Sequence, residues 1–454
     1  MRNPIRRRSR RVSVVLGLAL VAAGAGWVGG SPVARGAAAP DGATSRVSVG
    51  STETQSDGRS FDPPAISQDG RFVVFTNDGS NLVDGDTNGS FDVFVRNTVT
   101  GTTRRVSVSS NETQAEGHEG EPIGTGSLTI SADGRYVAFM SDASNLVPGD
   151  TNGRSDVFVR DRATGTTRRV SVSSSERQAN TGAGGASISA NGRYVAFGSR
   201  ASNVVPGDTN QRADVFVRDR STGTTRRVSM TSNQSQADDD SYTPVLSADG
   251  QRVAFLSVAS NLVAGDTNGW PDVFVRYRPT GTTYRVSVSS TEVQSIGNQA
   301  GSLAISADGA YVAFFSTASN LVSGDTDHGD VFVRDRKAGT TERVSVANNG
   351  AQSNSGGDDA SISADGQRVT FASSADNLVS GDTNGWIDVF IRDQVAGTTS
   401  RVSVSSGQTQ GDGNSYQGAI SGDGDHVAFV SEATDLVLGD TNSLFDTFVR
   451  DFAP

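Results

Sequence analysis

The chain has 454 residues, contains no cysteine and carries a formal net charge of −11. The lack of cysteine excludes disulfide bonds, thiol chemistry and cysteine metal sites. The acidic balance makes nucleic acid an unfavourable partner, because a phosphate backbone is held by clustered Lys and Arg.

The first 39 residues predict a cleaved signal peptide. Six arginines precede an apolar stretch at residues 12–28, and small residues follow it up to Ala39. No second hydrophobic span follows, which favours cleavage near Ala39 over a retained membrane anchor. Cleavage would change the net charge from −11 to −18. We therefore expect residues 40–454 to be exported and to have no membrane span.

The rest of the chain repeats one pattern. The segment Arg-Val-Ser-Val, with Met in the last position of the fourth copy, begins at Arg46, Arg105, Arg169, Arg227, Arg285, Arg343 and Arg401. The last four intervals are 58 residues each, and the first two are 59 and 64 because an insertion around residues 117–126 lengthens the second. A fixed period of this length is typical of a repeat array.

Each repeat predicts four short β-strands. In the second copy, segments 127–131, 135–139 and 156–160 are rich in β-branched and aromatic residues, and turn dipeptides such as Asp133-Gly134 separate them. Together with Arg-Val-Ser-Val, these segments make four strands, the number found in one blade of a β-propeller. The sequence therefore predicts an all-β fold, a seven-bladed β-propeller of four-stranded antiparallel blades.

The two ends of the repeat array predict how the ring closes. The array begins with a fourth strand at 46–49 and ends with a third strand at 447–451, so the two incomplete ends make one blade. Pairing between them would remove the exposed edges of an open array. Two phenylalanine positions recur in every repeat, and we expect them to pack between neighbouring blades.

The second copy also carries a family resemblance. The run Ile-Ser-Ala-Asp-Gly-Arg-Tyr-Val-Ala-Phe at 130–139, followed by Asp-Val-Phe-Val-Arg-Asp at 156–161, resembles the WD40-like repeat of TolB-type propellers. The resemblance covers essentially the whole chain after residue 44 and implies the propeller fold. It says little about function, because such propellers serve as binding scaffolds, sensor modules and non-catalytic parts of peptidases.

The connection between the second and third strands contains the one candidate metal site. It reads Gly-Asp-Thr-Asn-Gly-x-x-Asp, and in the first repeat Asp84 precedes Asp86, Asn88 and Asp92. The spacing is similar to the calcium loops of integrin-type propeller repeats, and calcium needs six to eight oxygen ligands. The alternative is that these side chains bond the backbone of the Asn-Gly turn and cap the third strand. No other cofactor is expected.

A glutamine follows the repeat's arginine by nine residues in every copy. Alternation of strand direction places this connection and the previous one on the same face of the ring, so a crown of polar loops is expected there. The glutamines either bind a polar ligand or bond each loop to its neighbour. They are Gln55, Gln114, Gln178, Gln236, Gln294, Gln352 and Gln410.

Residues that break the repeat are further candidates for binding, because a dedicated site departs from a scaffold's regularity. Aromatic loop residues often anchor partners, although here they can equally cover a blade edge. These departures are His118, Glu119 and Glu121 of the insertion, the acidic run 238–240, and Trp270 and Trp386.

An enzyme is the weaker functional hypothesis. The three histidines lie in different repeats without metal-ligand spacing, so a histidine triad or zinc site has little material. We expect a secreted or cell-envelope scaffold, monomeric and non-catalytic, that binds a protein, peptide or glycan through its long-loop face. The alternative is a carbohydrate-active enzyme, a hydrolase or lyase, that uses carboxylates of the central funnel.

Overall fold

The fold is built from β-strands throughout the part of the chain that a computed structural model describes, residues 42–116, 128–298, 301–326 and 328–452. Within these ranges, no helix is long and apolar enough to cross a membrane. The predicted insertion residues His118, Glu119 and Glu121 lie outside them.

The strands form seven four-stranded antiparallel sheets, the blades. The first strand, β1 (Thr44–Arg46), belongs to the last blade. Blades 1 to 3 comprise β2 (Ala65–Ile66), β3 (Phe72–Asn77), β4 (Asp92–Asn97) and β5 (Thr102–Arg105); β6 (Thr129–Ile130), β7 (Tyr136–Ser141), β8 (Asp156–Asp161) and β9 (Thr166–Arg169); and β10 (Ala183–Ile188), β11 (Tyr194–Ser199), β12 (Asp214–Asp219) and β13 (Thr224–Arg227).

The remaining blades follow the same plan. Blades 4 to 6 comprise β14 (Ser241–Leu246), β15 (Arg252–Ser257), β16 (Asp272–Tyr277) and β17 (Thr282–Arg285); β18 (Leu303–Ile305), β19 (Tyr311–Ser316), β20 (Asp330–Asp335) and β21 (Thr340–Arg343); and β22 (Asp358–Ile362), β23 (Arg368–Ser373), β24 (Asp388–Asp393) and β25 (Thr398–Arg401). Blade 7 combines β26 (Ser415–Ile420), β27 (His426–Ser431) and β28 (Asp446–Asp451) with β1.

The predicted ring closure is confirmed. Strand β1 pairs antiparallel with β28 in a register that places Thr44 opposite Arg450 and Arg46 opposite Phe448. The backbone N–H of Val47 extends the pairing by donating to Thr447 O at 2.7 Å. The seven-bladed, all-β fold class is therefore as the sequence predicts.

The outermost strands lie slightly earlier in the chain than predicted. The strand predicted at 46–49 is observed at Thr44–Arg46, and each later copy likewise ends at the repeat's arginine. The reason is that the residues after the arginine turn into a short hairpin, in which Val108, for example, forms an isolated bridge with Gln114. Hydrogen bonds within the hairpin replace those of a longer strand.

The hydrophobic core lies between neighbouring blades. The two recurring phenylalanines face each other across the middle strands, as in Phe139 and Phe158, whose ring centroids are 5.9 Å apart. Phe139 belongs to a buried cluster that also contains Val74 and Val95 of blade 1. At the closure, Phe94 of blade 1 packs with Ala428 and Val449 of blade 7. Burial of each such side chain contributes roughly 1.5–3 kcal/mol.

Strand direction defines two faces of the ring. The second-to-third and fourth-to-first connections of the blades share one face, which we call the long-loop face. The tight turns after the first and third strands share the opposite face, the short-turn face. Loops displayed on such a rigid scaffold are common binding surfaces.

Candidate functional site

The seven predicted glutamines lie on the long-loop face, where each bonds two loops of its own blade together. Gln114 Nε2 donates to Asp86 Oδ1 at 2.7 Å and to Asp92 Oδ2 at 3.0 Å. Gln55, Gln178, Gln294 and Gln352 make the equivalent pair of bonds to the aspartates of their blades.

In blades 3 and 6 the carboxamide is turned around. Gln236 donates to Thr209 Oγ1 at 2.6 Å and accepts from Arg227, and Gln410 bonds Thr383 and Arg401 in the same way. All seven side chains therefore have protein partners.

The aspartates of the long loops surround the arginine that begins each repeat segment. In blade 1, Arg105 Nη1 lies 3.1 Å from Asp86 Oδ1 and 3.2 Å from Asp92 Oδ2. Asp92 is 0% exposed and also accepts a bond from Ser107 Oγ at 2.5 Å. Two carboxylates thus share one guanidinium. Burial raises the pKa of Asp92 to about 6, and the negative charge of Asp86 acts in the same direction. This role of the arginine was not predicted from the sequence.

The predicted calcium ligands of the first blade are part of this cluster, except Asp84, which is exposed. Asn88 directs its Nδ2 to Asp92 Oδ2 at 3.2 Å, and its Oδ1 accepts from the Ser90 backbone N–H, as in an Asn-Gly turn. A calcium ion would therefore have to displace Arg105 and turn Asn88. Among the described residues no group of three or more His, Asp or Glu side chains is placed to hold a metal. Calcium binding stays one of the two alternatives for this loop.

The two predicted tryptophans are on the long-loop face and are substantially exposed, Trp270 by 49% and Trp386 by 44%. Each follows the Asn-Gly turn of its loop, and its backbone N–H donates to that asparagine. The same repeat position is occupied by Arg154 in blade 2. In contrast, the acidic run 238–240 is largely neutralised, because Asp239 pairs with Arg212 and Asp240 with Arg200.

A cavity of about 1010 Å³ occupies the centre of the ring. Its wall comes from the innermost strands of blades 2 to 6, and Arg154 and Arg200 of the long loops also line it. The cavity therefore opens on the long-loop face. Small residues such as Gly184, Ala304 and Ala360 leave the space, and its wall has both hydroxyl groups, as on Thr181 and Thr243, and apolar side chains, such as Leu128, Met140 and Val245.

The innermost strands carry bulges near this cavity. Register shifts interrupt β10, β14, β22 and β26 at the same place. Thr243, Asp359 and Gln417 take positive φ angles of 51°, 56° and 60° there. Such a conformation is strained for a β-branched threonine, and bulges of this kind re-aim side chains beside functional sites.

Two carboxylates lie on the bulged strand β22. Asp358 Oδ1 accepts from Ser302 Oγ at 3.1 Å, and Asp359 Oδ2 accepts from the Gln417 backbone N–H at 3.3 Å. Burial, followed by the charge of Asp358, raises the pKa of Asp359 to about 6. Each carboxylate therefore connects its blade to a neighbour.

The known proteins that resemble this chain indicate its fold but not its activity. No family model and no curated protein sequence matches the chain. The solved structures that resemble it include the β-propeller domain of the Trilobed protease from Pyrococcus furiosus, with 13% identity over 87% of this chain and 96% of that one and a TM-score of 0.52. That domain has an open velcro topology, whereas here β1 completes the last blade.

Two further solved structures also resemble the chain. Oligogalacturonate lyase from Vibrio parahaemolyticus is 13% identical over 90% of this chain and 93% of that one, with a TM-score of 0.51. TolB from Acinetobacter baumannii is 18% identical over 68% of this chain and 58% of its own, less than two thirds of its length, with a TM-score of 0.39. At these identities the likeness to the lyase and the protease domain concerns the fold alone, and the predicted β-propeller fold is confirmed.

Proposed function

We propose that the protein is an exported, non-catalytic scaffold that binds an extended polar ligand, a peptide or a glycan, at the centre of its long-loop face. The observation that carries the proposal is the cavity of about 1010 Å³, which opens among the long loops and has both hydroxyl and apolar groups in its wall. Its volume is at the upper end of the range of small-molecule sites, roughly 300–1,000 Å³, so it has room for several residues or sugar units.

The long loops outside the cavity wall also support the proposal. Arg154 lines the cavity, and Trp270 and Trp386 occupy the equivalent repeat position in blades 4 and 6. Exposed indole rings provide flat apolar area for stacking on a sugar ring or a side chain, at little cost in side-chain entropy. In contrast, the glutamines contribute by fixing the loops, because their amides are bonded to aspartates or threonines.

The experiment is a binding screen with glycan and peptide libraries, followed by affinity measurements on Trp270→Ala and Trp386→Ala. Each variant should bind the selected ligand about tenfold or more weakly, in keeping with the contribution of an anchoring tryptophan. Tyr284→Ala is the matched control, since Tyr284 is also 49% exposed but lies on the outermost strand of blade 4. Equal losses in all three variants, or no ligand in either library, would refute the proposal.

A carbohydrate-active enzyme is the second candidate, favoured by the neighbouring carboxylates Asp358 and Asp359. A carboxyl group with a pKa of about 6 has the property of a general acid near neutral pH. The test is turnover of selected glycans, by hydrolysis or elimination, in the unmodified protein and in Asp359→Asn. Turnover that Asp359→Asn abolishes would replace the scaffold proposal, and binding without turnover would support it.

A further inference from the structure

A short hairpin after each outermost strand contacts the next blade. After β5, the hairpin from Val108 to Gln114 reaches blade 2, where Thr167 Oγ1 donates to Val108 O at 2.5 Å. Arg160 of β8 donates to the hairpin backbone at Ser109 O, 3.0 Å away, and is almost fully buried. An arginine occupies the same position in the third strand of every blade. We call it the clasp arginine.

The charge of the clasp arginine is neutralised in four of these junctions. A glutamate at the hairpin tip forms an ion pair with it; the pairs are Glu53 with Arg96, Glu112 with Arg160, Glu176 with Arg218, and Glu292 with Arg334. At the junction between blades 3 and 4 the tip residue is Gln234 instead, and Arg276 Nη2 donates to its neutral Oε1 at 2.8 Å.

Arg276 therefore lacks the carboxylate that four of its counterparts have. The residue is 4% exposed, and its other bonds go to the backbone oxygens of Met230 and Thr231 and to Thr283 Oγ1. Burial alone lowers the pKa of Arg276. A buried cation without a counter-charge is costly, so a bound anion would be stabilised there.

Two further arginines face the same junction. Arg226 is exposed on the outermost strand of blade 3. Arg278 follows β16, lies half-buried over the Tyr194 ring with its guanidinium carbon 4.5 Å from the centroid, and donates to Gly250 O at 2.5 Å. Their positive charges add to that of Arg276.

These three arginines line one cavity of about 750 Å³ on the outer side of the ring. Gln234, Met230 and Gly281 are also in its wall, and no carboxylate is among the described residues that line it. A fourth arginine of the wall, Arg227, is already paired with Asp208 and Asp214.

The combination is specific to this junction among the described repeats. The junction between blades 2 and 3 has the equivalent three arginines, Arg168, Arg218 and Arg220, but it also has Glu176. The junction between blades 6 and 7 has a glutamine, Gln408, but Ser400 and Phe452 replace the two outer arginines. At this junction the repeat thus keeps all three arginines and has an amide, Gln234, in place of the carboxylate.

We propose that this cavity is a binding site for a small organic anion that carries a carboxylate, phosphate or sulfate group. Guanidinium groups bind such oxyanions through two parallel hydrogen bonds. The volume suits a small molecule rather than a bare ion. Because the site is on the outer side of blades 3 and 4, its occupation is independent of the central cavity.

Calorimetric titrations with sulfate, phosphate, glucuronate and neutral glucose test the proposal. We expect saturable binding of one anion per chain, with glucose inactive and with the glucuronate, sulfate and phosphate titrations identifying the preferred group. Gln234→Glu should weaken this binding at least about tenfold, since it supplies the missing carboxylate. The same residue is tolerated at this position in four other copies, and an unfolding midpoint no lower than that of the unmodified protein verifies that the variant is folded.

The reciprocal variant gives an independent result. Glu176→Gln should create a second anion site between blades 2 and 3, where the three arginines are already present. The stoichiometry should then rise from one to two anions per chain. The proposal is overturned if no anion binds saturably, or if Gln234→Glu binds as tightly as the unmodified protein.

Discussion

His426 Nδ1 lies 2.7 Å from Asp451 Oδ1, and this pair is located where the last blade meets the first. The imidazole also packs on Gly70 of blade 1 so closely that a Cβ atom there would come within 2.1 Å of the ring. Tyrosines occupy the equivalent position in other blades, as at Tyr136 and Tyr194. Hydrogen bonding to Asp451 raises the pKa of His426.

We predict that His426→Tyr changes the pH dependence of stability. The raised pKa means that the charged pair stabilises the fold fully below pH 6.5, and that this contribution is lost as the pH rises through the folded-state pKa. Because both side chains are partly exposed, the effect should be about 0.5–1 kcal/mol. Urea unfolding of both proteins at pH 5.5 and 8.5 measures this effect. The unmodified protein should have the higher free energy of unfolding only at pH 5.5. A difference between the two proteins that does not depend on pH would contradict the role of the pair.

A second pH effect should come from the buried aspartates of the long loops. The pKa is raised to about 6 for Asp92, Asp272, Asp330, Asp388 and Asp446, first of all by burial. A raised carboxyl pKa stabilises the fold fully below about pH 3.8, and this stabilisation is lost as the pH rises through about 6. The free energy of unfolding of His426→Tyr, which lacks the histidine effect, should be higher at pH 5 than at pH 7.5 by roughly 1 kcal/mol or more. A flat or rising profile over that range would show that these carboxyl groups titrate normally.

Closure of the ring should be essential for stability. Deletion of residues 44–50 removes β1 together with the buried Val47 and Val49, and it exposes the edge of β28. We expect aggregation, or an unfolding temperature lower by at least about 10 °C. A chain that lacks only residues 1–39 is the control and should melt like the full chain. Equal melting of both shortened chains would argue against a closed ring.

The hydrogen bonds of the long-loop glutamines should each contribute to the stability of the fold. Gln114→Ala leaves Asp86 and Asp92 without their amide donor, which should reduce the free energy of unfolding by about 1–3 kcal/mol. Gln367→Ala is the control, because Gln367 is exposed on a short turn. In chemical denaturation, Gln114→Ala should have a lower free energy of unfolding than Gln367→Ala. Equal and negligible losses in both variants would mean that other contacts hold the loops.

Calcium titration decides between the two interpretations of the first long loop. Because Arg105 already pairs with Asp86 and Asp92, we expect millimolar calcium to leave the unfolding temperature unchanged. A rise that is lost in Asp84→Asn would instead establish calcium binding at Asp84, Asp86, Asn88 and Asp92, since Asp84 takes no part in the arginine cluster.

The fold was predictable because the same pattern of strands and turns occurs in seven copies. Each copy has its own phenylalanine pair and turn dipeptides, and the two incomplete ends specify the closure by β1 and β28. The exact bounds of the outermost strands were not predictable, because the bridge of Val108 to Gln114 depends on contacts with the next blade.

The candidate sites were predictable only in part. The position of Trp270 and Trp386 in exposed loops followed from the repeat, but the central cavity depends on bulges such as that at Thr243, which no local pattern marks. The anion site has a signal that the sequence does carry: Gln234 stands where four other copies have glutamate. That Gln234 bonds the buried Arg276 is a contact between two blades, and only the structure shows it.

The pairing of β1 with β28 also constrains the order of events during folding. Thr44 meets Arg450, so the first strand finds its partner only after more than 400 residues have been synthesised. Until then, β1 has no partner strand, and an unpaired strand edge invites association with other chains. Completion of the ring is therefore the last and least local step, and we expect the nascent protein to depend on protection from aggregation until its C-terminus emerges.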